Sequence, residues 1–272
     1  MMTVVITGAS GFVGRYLTAY LKQNGLNVIP VSRSAHTGML QVSDYTQSPF
    51  GDVLIHLAEE PDRAKVNKLD ANSFSEALNL VEFLSKRPKQ RMIYASSAVV
   101  YGDSNKQPCK VGLPVYSVDK YTEMKLINEK IVLDSGGAVI RLSNLFGHGM
   151  ANNNVISDIL KQIPNNSPLK IRDDKPVCDF LHVSDAVAAI GLLLETNFSG
   201  ILNLGSGKGT SIKELIKILL LEANQEDREL IINKPSPNKS INILDISDTV
   251  KMIGWRTNFT LNERLVQLMH HR

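Results

Sequence analysis

The sequence predicts an α/β protein, a doubly wound parallel sheet followed by a smaller, mostly helical carboxy-terminal lobe. Three observations carry this expectation. Short β-branched runs alternate with helical stretches up to residue 147. A turn punctuated by glycines joins the first run to the first helix. After Gly147 the alternation gives way to Asn- and Pro-rich loops and to helices. Alternating strands and helices form βαβ units, which cover both faces of a parallel sheet.

Thr3–Thr7 (TVVIT) reads as a buried strand. Val13–Asn24 reads as a helix with Val13, Leu17, Tyr20 and Leu21 on its apolar face, ended by Gly25. Further strands are expected at Asn27–Val31, Val53–Ala58, Met92–Ala95 and Ala138–Leu142, with helices at Ser73–Lys86 and Ser117–Leu133. Downstream, Ser211 with Glu214 and Thr260 with Glu263 have the spacing of capping boxes, and Ser184 precedes DAVAAIGLLLE in the same manner. The expected division is 1–147 for the sheet domain and 148–272 for the lobe, with a return of the chain to the first domain around 178–204.

Composition narrows the function classes. A chain of 272 residues with 43% hydrophobic residues can bury a full core without staples. A net charge of +3 with no basic block leaves nucleic-acid binding without an electrostatic footprint. Two distant cysteines, Cys109 and Cys178, argue against a disulfide framework and a cysteine zinc site, so no metal is expected. No signal peptide or bilayer-length apolar run is visible, which gives the expectation of a cytoplasmic protein without a membrane partner.

The glycine turn is TGASGFVG, with Gly8, Gly11 and Gly14 between the first strand and first helix. Glycine permits positive φ and close approach of backbone to a ligand. The helix start then offers free N–H groups and a positive dipole end to a pyrophosphate. The G-x-x-G-x-x-G spacing is one residue wider than the usual dinucleotide fingerprint, but its position favours dinucleotide binding over a plain turn. Ser10, Phe12 and Val13 complete the loop. At the end of the second strand an acidic residue would accept from the ribose 2′-hydroxyl of NAD. Here Ser32, Arg33 and Ser34 stand instead, and Arg33 suits a 2′-phosphate, so NADP(H) is preferred and NAD(H) kept open.

Ser96 and Ser97 follow a strand and precede Tyr101-Gly102. Two overlapping Y-x-x-x-K patterns follow, Tyr116 with Lys120 and Tyr121 with Lys125. Residues i and i+4 share a helix face, and an ammonium beside a phenol favours the phenolate, which can exchange a proton with an alcohol or ketone. A serine hydroxyl can orient the same oxygen.

Taken with DVLIHLA, SSAVVYG, YTEMKLINEKIV, RLSNLFG, DFLHVSDAVAA, LNLGSGKGTSIKEL and IGWRTNFTLNE, these motifs cover nearly the whole chain. The chain resembles the extended short-chain dehydrogenase/reductase superfamily and, within it, the NAD-dependent epimerase/dehydratase family acting on nucleotide sugars. The resemblance implies a Rossmann-type domain, a smaller substrate lobe and a homodimer formed through the helices at Ser73–Lys86 and Ser117–Leu133. It selects Tyr121, Lys125 and Glu129 as the match to Y-x-x-S-K-x-x-x-E, with Met124 in place of Ser. It assigns Ser97 as the catalytic hydroxyl. It implies cofactor contacts at Asp44 and Tyr45, Leu57 and Ala58, and Asn72, besides the glycine loop, Tyr121 and Lys125.

The resemblance also narrows the reaction. Family dehydratases have Asp-Glu after the catalytic hydroxyl, where this chain has Ala98-Val99. The cysteine of a 3,5-epimerising reductase is missing at Ala98. Hydride transfer at one sugar carbon remains: reduction of a nucleotide-linked 4-keto-6-deoxy sugar by NADPH, with Tyr121 as general acid, or 4-epimerisation with tightly held NAD. A non-catalytic cofactor-binding sensor is the third alternative, disfavoured by the retained Ser97, Tyr121 and Lys125. The resemblance implies substrate contacts at Ser97, Asn144 and Asn154. The family arginine near the substrate diphosphate is replaced by Cys178, with Lys239 or Arg172 as candidates to compensate.

Overall fold

The computed structural model describes residues 2–103 and 105–270. The first half contains β1 (Thr3–Thr7), α1 (Phe12–Gln23), β2 (Asn27–Ser32), β3 (Leu40–Gln41), β4 (Val53–His56), α2 (Arg63–Val66), α3 (Ala71–Ser85), β5 (Arg91–Ser97), α4 (Lys120–Asp134) and β6 (Ala138–Leu142). The second half contains β7 (Asn144–Phe146), α5 (Val155–Gln162), β8 (Leu169–Ile171), β9 (Val177–His182), α6 (Val183–Leu194), β10 (Gly200–Leu204), β11 (Gly209–Ser211), α7 (Ile212–Glu222), β12 (Leu230–Ile232), β13 (Ile241–Asn242), α8 (Ser247–Ile253) and α9 (Leu261–His270).

Seven strands form one parallel sheet in the order β10-β6-β5-β4-β1-β2-β3. Side chains alternate across a strand. In β1, Val4 and Ile6 therefore enter the core with Leu17 and Leu21 of α1 and Ile190 of α6. Val5 points the other way, into the core with Val81 and Leu84 of α3 and Val132 of α4. Both sheet faces are covered, which explains why β1 reads as continuously apolar. From β1 the chain runs outward to β2 and β3, then returns to β4 on the other side of β1. That reversal opens a crevice beyond the carboxyl ends of β1 and β4, the general ligand position in such sheets.

The expected strand Ala138–Leu142 and the capping box of Ser211 with Glu214 are present as read. Helix α4 begins at Lys120, three residues later than Ser117, because the Asp119 carboxylate accepts from the Thr122 amide while the Thr122 hydroxyl accepts from the Asp119 amide, a reciprocal capping box. Helix α6 is capped by the ring of His182, not by Ser184, which lies inside the first turn. The second half also holds short strands among its helices. β9 carries β11, β13 and β7, and β8 pairs with β12. Runs of two to six residues are too short to display a clear period of two. β10 pairs with β6, and α6 packs on α1, so residues 183–204 lie in the layers of the large sheet. A separate core, with Phe146, Ile159, Leu169, Leu215, Leu219 and Leu265, fills the rest of the second half. Among the described residues no helix is long and apolar enough to cross a membrane, and no group of side chains is arranged to hold a metal ion.

Candidate active site

The glycine loop lies against the end of β4. Gly8 has φ +72°, and a Cβ there would meet the Leu57 carbonyl at 2.7 Å and Ala58 Cα at 2.8 Å. A Cβ on Gly14 would stand 2.3 Å from the Gly8 carbonyl oxygen. Both positions therefore require glycine, and they bring Leu57 and Ala58 to the loop. Gly11 caps α1 without a side-chain hydrogen bond. The amides of Phe12, Val13 and Gly14 have no intrahelical acceptor, as at any helix start. This uncapped end, with its dipole, is chemically suited to a pyrophosphate. The residues present thus fit the phosphates of a dinucleotide.

Ser32, at the end of β2, is buried and its hydroxyl lies 2.9 Å from that of Ser10, which ties the strand end to the loop. The Ser34 amide donates to the same Ser32 oxygen. Arg33 is exposed, with its guanidinium 5.4 Å from the Tyr45 ring centroid. Asp44 receives the Thr46 amide, and these hydrogen bonds, aided by Arg33, hold its carboxyl below the ordinary value. Ser32, Arg33, Asp44 and Tyr45 thus gather at one edge of the crevice.

The Tyr–Lys helix is fixed by contacts remote in sequence. Asp119, at the head of α4, also accepts from Arg63 Nε at 2.5 Å and Asn67 Nδ2 at 3.0 Å. Asn67 Oδ1 in turn accepts from the Tyr121 amide. Burial opposes ionisation of Asp119, but donors from Thr122, Asn67 and Arg63 outweigh it and hold the carboxyl far below its usual range. Tyr121 is 8% exposed and packs with Val66 and Met124, so Met124 serves as an apolar contact on this helix. Among the described residues its hydroxyl has no hydrogen-bond partner. Tyr116 lies in the preceding loop and is 53% exposed.

Lys125, one turn after Tyr121, is buried. Its Nζ donates to Glu59 Oε2 at 2.5 Å and to the Ala95 carbonyl at 2.9 Å. Glu59 also accepts from Tyr94 OH and from Asn128 Nδ2. Burial alone would raise the Glu59 carboxyl, but the Lys125 ammonium, His56 and these hydrogen bonds hold it below its ordinary value. Burial likewise opposes the charge of Lys125, and the Glu59 carboxylate overrides it and raises the lysine. Tyr94 is pushed well up by burial and by Glu59, so it donates as a neutral phenol. Beneath them, burial brings His56 down to about 4, and its Nδ1 meets Thr7 Oγ1 at 2.8 Å.

The two serines of β5 have separate partners. Ser96 donates to Glu129, which also takes Arg141 Nε at 3.0 Å and Nη2 at 2.6 Å. Ser97 ends the strand and accepts from the Val99 amide. Its hydroxyl makes no hydrogen bond with Tyr121 among the described residues.

Other expected positions lie apart. Asn72 is exposed in the first turn of α3. Asn144 donates to the Asp179 carbonyl, tying β7 to β9. Asn154 caps α5 through Ser157 and lines a cleft of about 1200 Å³ with Arg172 and Cys178. Burial pushes the Cys178 thiol up to about 11, with Asp103 and Asp179 adding to it. Lys239 is exposed and is not among the cleft's lining residues. Sequence reading passed over Glu59, Tyr94 and Asn128. An acid directly after the HLA segment, and an Asn three residues beyond Lys125 on one helix face, were the available signals.

Known proteins bear on this arrangement. The chain is 24% identical to the UDP-glucose 4-epimerase of Dictyostelium discoideum, over 93% of this chain and 90% of that protein. Its fold matches that of the UDP-glucose 4-epimerase of Thermus thermophilus in complex with NAD, with a TM-score of 0.86, 20% identity and coverage of 99% and 98% of the two chains. It also matches RMD from Pseudomonas aeruginosa complexed with NADPH, with a TM-score of 0.82, 24% identity and the same coverage. The family model described as NAD dependent epimerase/dehydratase matches residues 4–205, a stretch that runs from β1 to just beyond β10 and takes in the glycine loop, Ser97, Tyr121 and Lys125. With three quarters of its length matched, the chain belongs to the NAD dependent epimerase/dehydratase family.

Proposed function

We propose that this protein is an NADPH-dependent reductase of a nucleotide-linked 4-keto-6-deoxy sugar. The observation that carries the reading is the end of β2, where a buried Ser32 tied to Ser10 is followed by an exposed Arg33. An aspartate at this strand end would repel a 2′-phosphate, whereas a guanidinium offers it a fixed charge and several donors.

In this reading the amides at the start of α1 hold the pyrophosphate, and Leu57 and Ala58 line the crevice beside it. When bound, the nicotinamide supplies the hydride. Tyr121 gives its phenolic proton to the sugar oxygen. Lys125 directs an N–H toward the adjoining ribose. Ser97 turns its hydroxyl toward the sugar carbonyl. The cleft lined by Asn154, Arg172 and Cys178 takes the nucleotide end of the substrate, with Arg172 supplying the cation that position 178 lacks.

A charge-assisted hydrogen bond contributes about 1.5–3 kcal/mol, or about 10- to 150-fold in affinity. NADPH is therefore expected to bind more tightly than NADH by that factor, and Arg33→Ala to erase most of the gap. Calorimetric titration of both proteins with both cofactors tests this, and equal binding of NADH and NADPH by the wild type sinks the reading. The names of relatives such as the Dictyostelium discoideum protein favour a second reading, a 4-epimerase that retains NAD. NAD released on denaturing the purified protein would decide for it.

The proposal includes a homodimer built on the outer faces of α3 and α4, where Phe83 is exposed and Ile127 is half-buried. Light scattering at micromolar concentration is expected to give twice the chain mass, and a monomer mass removes the dimer from the proposal.

A further inference from the structure

The carboxylate of Glu59 is a buried charge in contact with Lys125 that the proposed chemistry leaves unused. It reaches Lys125 from the loop after β4, while Tyr94 comes from β5 and Asn128 from α4. A carboxylate has about four lone-pair directions. Here Oε1 takes Asn128 Nδ2 at 2.7 Å and Tyr94 OH at 3.0 Å, while Oε2 takes Lys125 Nζ at 2.5 Å and Tyr94 OH at 2.8 Å. Three donors, with the single Tyr94 O–H shared between the two oxygens, thus hold both carboxylate oxygens from within the protein.

Lys125 is different. An ammonium carries three N–H donors. Glu59 and the Ala95 carbonyl take two of them, and two fixed directions determine the third. The Nζ lies 5.7 Å from the Tyr121 ring centroid.

We propose that Glu59 is a positioning residue: it aims the remaining N–H of Lys125 and thereby sets the affinity for the nicotinamide-ribose end of the cofactor. The inference rests on the reading of Lys125 as a cofactor-binding residue. Two effects of removing the carboxylate oppose each other. A lysine freed from its anion carries an uncancelled charge, which favours anionic ligands. The ribose hydroxyls are neutral, however, so this gain is small where Lys125 acts. Losing the anchor frees the side chain to turn, and it leaves a buried ammonium without its partner, which disfavours the charged donor. The loss outweighs the gain.

The test measures the NADPH dissociation constant by fluorescence titration and the cofactor-free melting temperature. The proteins are wild type, Glu59→Gln, Lys125→Met and the double variant. Glu59→Gln is expected to weaken NADPH binding by about 10-fold or more, the loss of one hydrogen bond from a charged donor. In the Lys125→Met background the same change is expected to weaken it no further, because there is no ammonium left to aim. A carboxylate with a purely structural role would lower the melting temperature of Glu59→Gln and leave its dissociation constant at the wild-type value. That result, with Lys125→Met impaired, overturns the inference and leaves the reading of Lys125 intact. Additive losses in the double variant also overturn it. Wild-type affinity in Lys125→Met overturns the reading of Lys125 and the inference with it. Glu59→Asp is the second variant should Glu59→Gln not fold: its carboxylate stops one methylene short of Nζ, weaker NADPH binding is expected, and wild-type affinity counts against Glu59.

Discussion

Tyr121→Phe is expected to lower kcat by about 10²- to 10⁴-fold, the range for loss of a positioned proton donor. The assay is NADPH oxidation with a nucleotide-linked 4-ketosugar. The substitution removes one oxygen and keeps the ring that packs on Val66 and Met124. Because the hydroxyl has no hydrogen-bond partner among the described residues, folding stability should stay near that of the wild type. A loss of turnover without a loss of stability is the signature of chemistry at that oxygen. Tyr116→Phe is the control, since Tyr116 belongs to the other Y-x-x-x-K pattern and lies exposed outside the helix. Equal losses from the two substitutions, or no loss from Tyr121→Phe, would remove Tyr121 from its assigned role.

Arg141→Met is expected to cost about 3–5 kcal/mol of stability, the range for breaking a buried ion pair from one side. Arg141 and Glu129 have side chains only 4% exposed each, and their two hydrogen bonds join β6 to α4 one turn beyond Lys125. The guanidinium also stacks over Tyr101, with its carbon 4.7 Å from the ring centroid. Without Arg141, the Glu129 carboxylate keeps, among the described residues, only the Ser96 hydroxyl as a side-chain donor. A domain holds about 5–15 kcal/mol in total, so this loss is a large fraction of it. Urea unfolding measures the effect as a lower midpoint at unchanged slope. Replacing Glu129 by Leu in the same protein should restore much of the loss, because an apolar pair of similar volume avoids desolvation of either charge. A loss under about 1 kcal/mol in the single variant would mean that water reaches the pair.

The resemblance had already marked Glu129 as part of the Tyr–Lys helix pattern, but its role there depends on Arg141 and Ser96, which come from two different strands. The tandem serines show the same division. Two adjacent hydroxyls at the end of a strand are equivalent in one dimension, and only the direction of each side chain separates the Glu129 partner, Ser96, from Ser97 at the last strand position. Asn72 was read from its place at the opening of α3, and the exposure of that turn was decided by how the helix docks.

By itself the sequence determined what depends on near neighbours. Short continuous apolar runs specify β1 and β6, and an apolar period of the helical kind specifies α1. Three glycines specify the turn that joins β1 to α1. A spacing of four places Tyr121 and Lys125 on one helix face, and the absence of an acid at the end of β2 is visible without any structure. The tertiary structure decided which distant groups complete those local arrangements. Asp119 is held by Arg63 and Asn67 from the segment before α3. Glu59 reaches Lys125 across 66 residues of chain because the sheet sets β4 beside β5 and lays α4 against that face. No local period records such a meeting. It arises when burial of both sheet faces fixes the strand order, and a carboxylate and an ammonium that are polar surface residues in the extended chain are left with each other as buried partners.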